Sequence, residues 1–79
     1  MVCELHFNKG AIGALHSHPH EQISYIISGK FEFTIGGVKY VVSAGDTVYK
    51  QPNIVHGAVC LEEGVMLDIF TPERKDFLK

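Results

Sequence analysis

The chain has few of the positive charges on which two large functional classes depend. Among its 79 residues only seven are Lys or Arg, against nine Asp or Glu, and the formal net charge is −2 at pH 7. No cluster of lysines and arginines offers the positive surface to which nucleic acids or anionic membranes bind. We therefore expect neither a nucleic acid nor a membrane as a partner.

Long hydrophobic runs and an obvious leader are also missing. No stretch approaches the roughly 20 consecutive apolar residues of a membrane-spanning helix, and residues 1–9 lack the charged start and apolar centre of a signal peptide. The two cysteines, Cys3 and Cys60, allow only one disulfide. Without a secretion signal we expect two free thiols and a cytoplasmic protein.

Several catalytic fingerprints are absent as well. The sequence contains no nucleophile elbow, phosphate-binding loop, CxxC pair or dinucleotide fingerprint. Each of these motifs places specific backbone or side-chain groups around a reacting atom. Their absence argues against acyl transfer, nucleotide chemistry and thiol redox chemistry.

The chain does contain a series of short runs rich in Val, Ile, Phe and Tyr, separated by Gly, Pro, Asn and Asp. Such a series is typical of an all-β sandwich or barrel. The predicted strands are residues 2–7, 12–18, 22–28, 30–35, 38–42, 47–50, 54–61 and 65–70, and residues 73–79 are predicted to form a short helix or tail. A chain of this length makes one small domain, residues 1–79, with a marginal core. We therefore expect a bound metal and a homodimer to help stabilise it.

The last predicted hairpin sets the register of the C-terminal strands. Residues 62–64, Glu-Glu-Gly, fit a three-residue loop with a glycine in the left-handed conformation. In that hairpin Ala58 faces Asp68 and His56 faces Phe70, so that all four share one side of the sheet. The opposite side is apolar and suits a second layer or a subunit interface; it carries Val55, Val59, Leu61, Val65, Leu67 and Ile69.

Three histidines and a glutamine carry the main functional signal. His16 and His18 project from the same face of one extended strand, because side chains repeat there with a period of two. Gln22 begins the next strand, and His56 follows a Pro-Asn turn. A lone His-x-His pair is more often exposed or hydrogen-bonded than a ligand, but the four donors together favour a metal site.

The metal itself stays open, because imidazole and amide donors suit one divalent ion of Zn, Ni, Co, Fe, Mn or Cu. All four donors are neutral, so the ion keeps its positive charge and favours an anionic ligand. Glu21 is a rival donor with the opposite strand parity to Gln22. His20 follows Pro19, and it is better interpreted as a residue of the turn, or as one that contacts a metal ligand, than as a ligand itself.

Three further side chains each have two interpretations. Asp68, on an otherwise apolar strand, is either a general acid or base or a hydrogen-bonded residue at the rim. Arg74 either pairs with a substrate carboxylate or is solvated. Cys60 shares a face with His56, so it either approaches the cavity or is a small buried apolar residue, and the second interpretation is the better one. Four aromatic residues are assigned to the core rather than to a site: Tyr25, Phe31, Phe33 and Tyr40. Phe70 is expected to line the pocket.

Two spaced motifs identify a family. The spacing Gly10-x5-His16-x-His18-x3-Gln22-x6-Gly29 resembles the first cupin motif, with glutamine in place of the usual glutamate. The spacing Gly45-x6-Pro52-x3-His56 resembles the second motif, with Ile54 where a glycine is frequent and Cys60 where an asparagine is common. The resemblance implies a jelly-roll-like β-barrel with a metal held by His16, His18, Gln22 and His56.

The runs HSHPHEQ and DIFTPERKDF are similar to those of the KdgF-type pectin-degradation cupins. That likeness implies ring opening and ketonisation of 4,5-unsaturated monouronates from pectin or alginate. It implies that Asp68 is the acid/base group, Phe70 a pocket wall and Arg74 a contact to the sugar carboxylate. Because cupins carry many functions, a dioxygenase with a redox metal and a non-catalytic sugar- or metal-binding cupin remain the alternatives.

Overall fold

The computed structural model describes residues 1–71, which form six antiparallel β-strands. They are β1 (Val2–Phe7), β2 (Ile12–His16), β3 (Glu21–Ile35), β4 (Val38–Ser43), β5 (Thr47–Lys50) and β6 (His56–Thr71). The all-β prediction is confirmed, and β1 and β5 have the predicted bounds. The helix or tail predicted at 73–79 lies outside the described residues. Within residues 1–71 no helix is long and apolar enough to cross a membrane.

The two longest strands, β3 and β6, pair with each other along nearly their whole lengths. β1 and β2 pair with different halves of β6, and β5 and β4 pair with different halves of β3. One end of the molecule therefore has the strand order β1-β6-β3-β5 and the other has β2-β6-β3-β4. Among residues 1–71 no ladder joins the outer strands to each other, so the sheet is not the closed barrel that we expected.

The predicted hairpin at residues 62–64 is wrong, because β6 runs straight through it. Gly64 serves a close approach of two strands rather than a turn. A Cβ atom on Gly64 would overlap the carbonyl oxygen of Ser28 and lie 2.7 Å from the Cα of Gly29 on β3. Gly29 has a φ of 84°, and β3 passes through it without ending. Predicted strands 22–28 and 30–35 are therefore one strand with an irregular centre.

The predicted pairs across that hairpin are wrong too, but the shared face is correct. Asp68 lies opposite Ser24 and Cys3, and Phe70 lies opposite Gln22. Even-numbered positions of one continuous strand point to the same side. His56 therefore shares its face with Asp68 and Phe70 for a different reason from the predicted one.

The core lies between the two ends of the bent sheet and contains six buried apolar residues: Ile26, Phe31, Phe33, Val48, Cys60 and Met66. Phe31 and Phe33 are core residues as predicted, but Tyr25 is 40% exposed and Tyr40 is 49% exposed. The irregularity near Gly29 explains Tyr25. Even-numbered residues of β3 face inward before it and odd-numbered residues face inward after it. The pairing shifts register there, because β3 advances five residues from Ile26 to Phe31 while β6 advances six from Met66 to Cys60.

The outer face of β6 keeps an apolar surface. Val55 and Ile69 are exposed and the other members of the predicted apolar set are half-buried, so no second layer formed by residues 1–71 covers them fully. Both cysteines are free thiols. The homodimer stays a prediction.

Candidate metal centre and adjoining cavity

Three histidine side chains converge although they come from separate segments. His16 ends β2, His18 lies in the connection to β3, and His56 begins β6 opposite His16. One ring nitrogen from each lies within 4.8 Å of the others. The His16 and His56 ring centroids are 4.5 Å apart, and those of His18 and His56 are 4.9 Å apart. The predicted second strand ends two residues early, at His16, but the predicted histidines meet.

Backbone carbonyls set the tautomer of all three rings. The Nδ1 atom of His16 lies 2.8 Å from the Ala14 carbonyl oxygen, that of His18 lies 3.1 Å from His20, and that of His56 lies 3.0 Å from Ile54. A carbonyl oxygen only accepts, so each Nδ1 carries the hydrogen and donates it. Each Nε2 therefore offers a lone pair, which is the arrangement of metal-binding histidines.

His56 gives the clearest sign that a ligand belongs here. Its Nε2 is buried and has no hydrogen-bond partner among the described residues. Burial is the main cause that lowers the pKa of His56 to about 4 from the ordinary 6.5; the hydrogen bond to Ile54 opposes the shift and the positive charge of Lys50 contributes to it. The ring is therefore neutral near pH 7, as a metal ligand must be.

Gln22, the predicted oxygen donor, lies beside the histidine cluster. Its buried Oε1 lies 3.1 Å from Nε2 of His18, while its Nε2 is 3.5 Å from Oγ of Ser24. With His18 protonated on Nδ1, its Nε2 and the Gln22 Oε1 each present a lone pair 3.1 Å apart, a spacing that suits two ligands of one metal ion. The rival donor Glu21 instead accepts a hydrogen bond of 2.6 Å from Tyr49 on the exposed side.

His20 is not one of the three converging histidines. Its backbone carbonyl accepts the hydrogen bond of the His18 ring and so helps to orient that ring. Its own Nδ1 is buried without a partner among the described residues.

A cavity of about 220 Å³ adjoins the histidines. Its polar lining includes His16, His56, Gln22, Lys50 and Asp68, and Phe70 lines it as predicted. The rest of its wall is the apolar core. Cys60 belongs to that wall and is buried, in agreement with its assignment as a small apolar residue.

Sequence reasoning missed Lys50 and Ser24. Lys50 is 3% exposed, Ser24 is 0% exposed and Asp68 is 6% exposed. Lys50 Nζ donates to Ser24 Oγ at 2.7 Å, and Ser24 Oγ donates to Asp68 Oδ1 at 2.5 Å. Strand parity was the available signal for Lys50, because Val48 of the same strand is buried and residues two apart share a face.

Burial lowers the pKa of Lys50 to about 8 from the ordinary 10.5, and the nearby Asp68 carboxylate opposes that shift. In the absence of metal, a Lys50→Met variant should therefore have a larger free energy of unfolding than the wild type at pH 7. The difference should be about 2 kcal/mol, because the lost hydrogen bond to Ser24 offsets part of the gain from removing the buried charge. The folded wild type releases the lysine proton near pH 8 and the unfolded chain near 10.5. Wild-type stability thus rises with pH across this window, and the advantage of the variant disappears above it.

Urea unfolding of both proteins at pH 7 and pH 10.5 measures this difference. The exposed Lys39→Met variant is the control and should match the wild type at both pH values. A Lys50→Met protein less stable than the wild type at pH 7 would show that the ammonium group stabilises the fold.

Comparisons with known proteins agree with this geometry. The cupin domain family matches residues 3–70. The pectin degradation protein KdgF of Dickeya dadantii (strain 3937) is 50% identical over 80 residues, which covers 99% of this chain and 72% of that protein. The chain is a cupin of the KdgF family.

Solved structures support the same assignment. KdgF from Halomonas sp. superposes with a TM-score of 0.95 at 39% identity, covering 99% of this chain and 73% of that one. An RmlC-like cupin from Shewanella frigidimarina superposes with a TM-score of 0.96 at 42% identity, covering 99% and 70%. In this KdgF-family chain five predicted site residues line one cavity, namely His16, Gln22, His56, Asp68 and Phe70. His18 converges with His16 and His56 beside it, and Arg74 lies outside the described residues.

Proposed function

We propose that this protein opens the ring of 4,5-unsaturated monouronates from pectin or alginate and yields the linear keto form. The observation that carries the proposal is a buried carboxylate, Asp68, in the same cavity as a cluster of three histidines able to hold a metal ion. The half-identical relative named as a pectin degradation protein supports the substrate class.

The Nε2 atoms of His16, His18 and His56, with Oε1 of Gln22, would hold the metal. The fit rests on the buried Nε2 of His56, which has no hydrogen-bond partner within residues 1–71, and on the convergence of the three histidine rings. A divalent ion at this position supplies Lewis-acid polarisation of sugar oxygens. All four donors are neutral, so the site keeps the positive charge that attracts an anionic sugar.

Asp68 is assigned the proton transfer. Ring opening is an isomerisation. The anomeric hydroxyl loses its proton, and the bond between the anomeric carbon and the ring oxygen breaks. Of the two carbons of the double bond, the one that is not bonded to the ring oxygen gains a proton. One carboxylate can accept the first proton and deliver the second. Ser24 holds Oδ1 of Asp68, and Oδ2 makes no side-chain hydrogen bond within residues 1–71, which leaves it for the substrate.

Two other roles come from the family resemblance. Phe70 is buried, lines the cavity and packs with a centroid distance of 5.9 Å to the His18 ring, which suits a wall beside the metal. Arg74 is assigned the contact to the sugar carboxylate, since a guanidinium pairs with a carboxylate through two hydrogen bonds.

The direct test is to add metal-loaded protein to the unsaturated monouronate and to follow the loss of its double-bond absorbance. The Asp68→Asn variant should be slower by about 100-fold or more, because amides do not accept and deliver protons. Asp46→Asn is the matched control, since that carboxylate lies in an exposed turn and accepts a hydrogen bond from the Ser43 backbone. It should keep full activity.

Two results would contradict this proposal. No acceleration over spontaneous opening, with metal bound, would exclude the reaction. An Asp68→Asn protein as active as the wild type would remove proton transfer from Asp68. Oxygen consumption with candidate substrates, measured in parallel, would instead support the dioxygenase alternative.

A further inference from the structure

Lys50 has hydrogen-bonding capacity that the described fold does not use. Its ammonium group carries three N–H donors. One donates to Ser24 Oγ at 2.7 Å, and the group lies 4.5 Å from the centroid of the Phe33 ring. It makes no other hydrogen bond and no direct ion pair within residues 1–71. Two donors on a side chain only 3% exposed are thus left without an acceptor.

This arrangement costs free energy, because a buried charge is stable only when it is well paired and hydrogen-bonded. The neighbouring carboxylate does not fully compensate, since Ser24 stands between Lys50 and Asp68. A methionine would fill the same space beside Phe33 without that cost. The retained charge therefore indicates a binding partner that arrives from outside the fold.

The cavity determines what that partner can be. Lys50 and Asp68 both line it, and so do the metal-binding histidines His16 and His56. A ligand atom that satisfies two ammonium donors has to be an acceptor, and an anionic oxygen is the strongest one. The same ligand would lie beside the oxygen of Asp68 that Ser24 leaves without a hydrogen bond.

We propose that Lys50 forms an anion subsite of this cavity that binds the carboxylate of a sugar acid. Ser24 orients both sides of the subsite, because it accepts from Lys50 and donates to Asp68. The identification of the ligand as a sugar acid rests on the proposed function. The subsite places the ligand's carboxylate at Lys50, in the same cavity as the acid/base group Asp68.

Binding of two saturated sugars to metal-loaded protein tests this. D-galacturonate carries the carboxylate and D-galactose does not, and neither has the double bond needed for the proposed reaction. Calorimetry should show that the wild type prefers galacturonate and that Lys50→Met weakens galacturonate about tenfold or more, with galactose unchanged. The exposed Lys39→Met variant should bind both sugars as the wild type does.

Three outcomes would overturn the subsite: a wild type that shows no preference for galacturonate, a Lys50→Met protein that binds galacturonate as tightly as the wild type, or equal losses for both sugars. Equal metal content, and a cooperative unfolding transition of Lys50→Met no less stable than that of the wild type, exclude a folding defect.

Turnover separates this inference from the proposed function. Ring opening with an unchanged KM in Lys50→Met would overturn the subsite and leave the proposed function standing. Binding of galacturonate that depends on Lys50, in a protein that does not accelerate ring opening, would support the subsite and overturn the proposed function.

Discussion

Replacing His56 with alanine should lower the metal content of the purified protein from about one ion per chain to near zero and reduce ring opening to the spontaneous rate. His56 is the buried member of the histidine cluster, and its Nε2 has no other partner among the described residues. Its removal leaves two imidazoles and an amide, which is a poor donor set for a divalent transition metal. Elemental analysis after exhaustive dialysis measures the loss.

His6→Ala is the control for this experiment. His6 is exposed and pairs with Glu4 at 2.7 Å on the outer side of β1. That variant should keep both metal and activity. A chelator applied to the wild type should reproduce the inactivity of His56→Ala, and restored metal should reverse it only in the wild type. Full metal content in His56→Ala would show that the ion is held elsewhere.

The convergence of the three histidines was predictable from the sequence because their spacing resembles the two cupin motifs. His16 and His18 are two residues apart, and Gln22 and His56 each lie near the start of a recognisable strand. The alternation of Phe31 and Phe33 with polar residues likewise predicted the core face. The core face can be inferred without knowing which strands are neighbours, whereas the meeting of His16 with His56 depends on the pairing of β2 with β6.

The pairing of strands was not predictable in the same way, because it depends on two glycines that meet across strands. Gly64 follows two glutamates, a composition that fits a turn as well as a strand crossing. The register of β3 against β6 shifts around Gly29, so the inward-facing positions of β3 change from even to odd numbers and Tyr25 lies on the exposed side. The burial of Lys50 was not predicted for a separate reason, since a lysine before a Pro-Asn turn is usually solvated.

The glycine contact itself predicts the second large effect. Gly64→Ala should destabilise the protein by roughly 3 kcal/mol or more. The added Cβ would overlap the Ser28 carbonyl and the Gly29 Cα, and both belong to the backbone, which cannot rotate away. β3 and β6 would have to separate at the point where both ends of the sheet depend on their pairing. Urea unfolding measures the change, and Gly13→Ala is the matched control.

Gly13, on β2, also faces a neighbouring strand, but a Cβ atom there would be 3.8 Å from the backbone nitrogen and oxygen of Ala58 on β6, which is ordinary van der Waals contact. Gly13→Ala should therefore stay within about 1 kcal/mol of the wild type. An equally small loss of stability in Gly64→Ala would show that β3 and β6 do not need their close approach.

A large loss of stability, as the overlap requires, would have a consequence for the site. The same contact holds Ser24 on β3 against Asp68 on β6, only a few residues away along each strand. Partial unfolding at this contact should then loosen the hydrogen bond that orients Asp68, so activity should fall at urea concentrations below those that unfold the rest of the sheet.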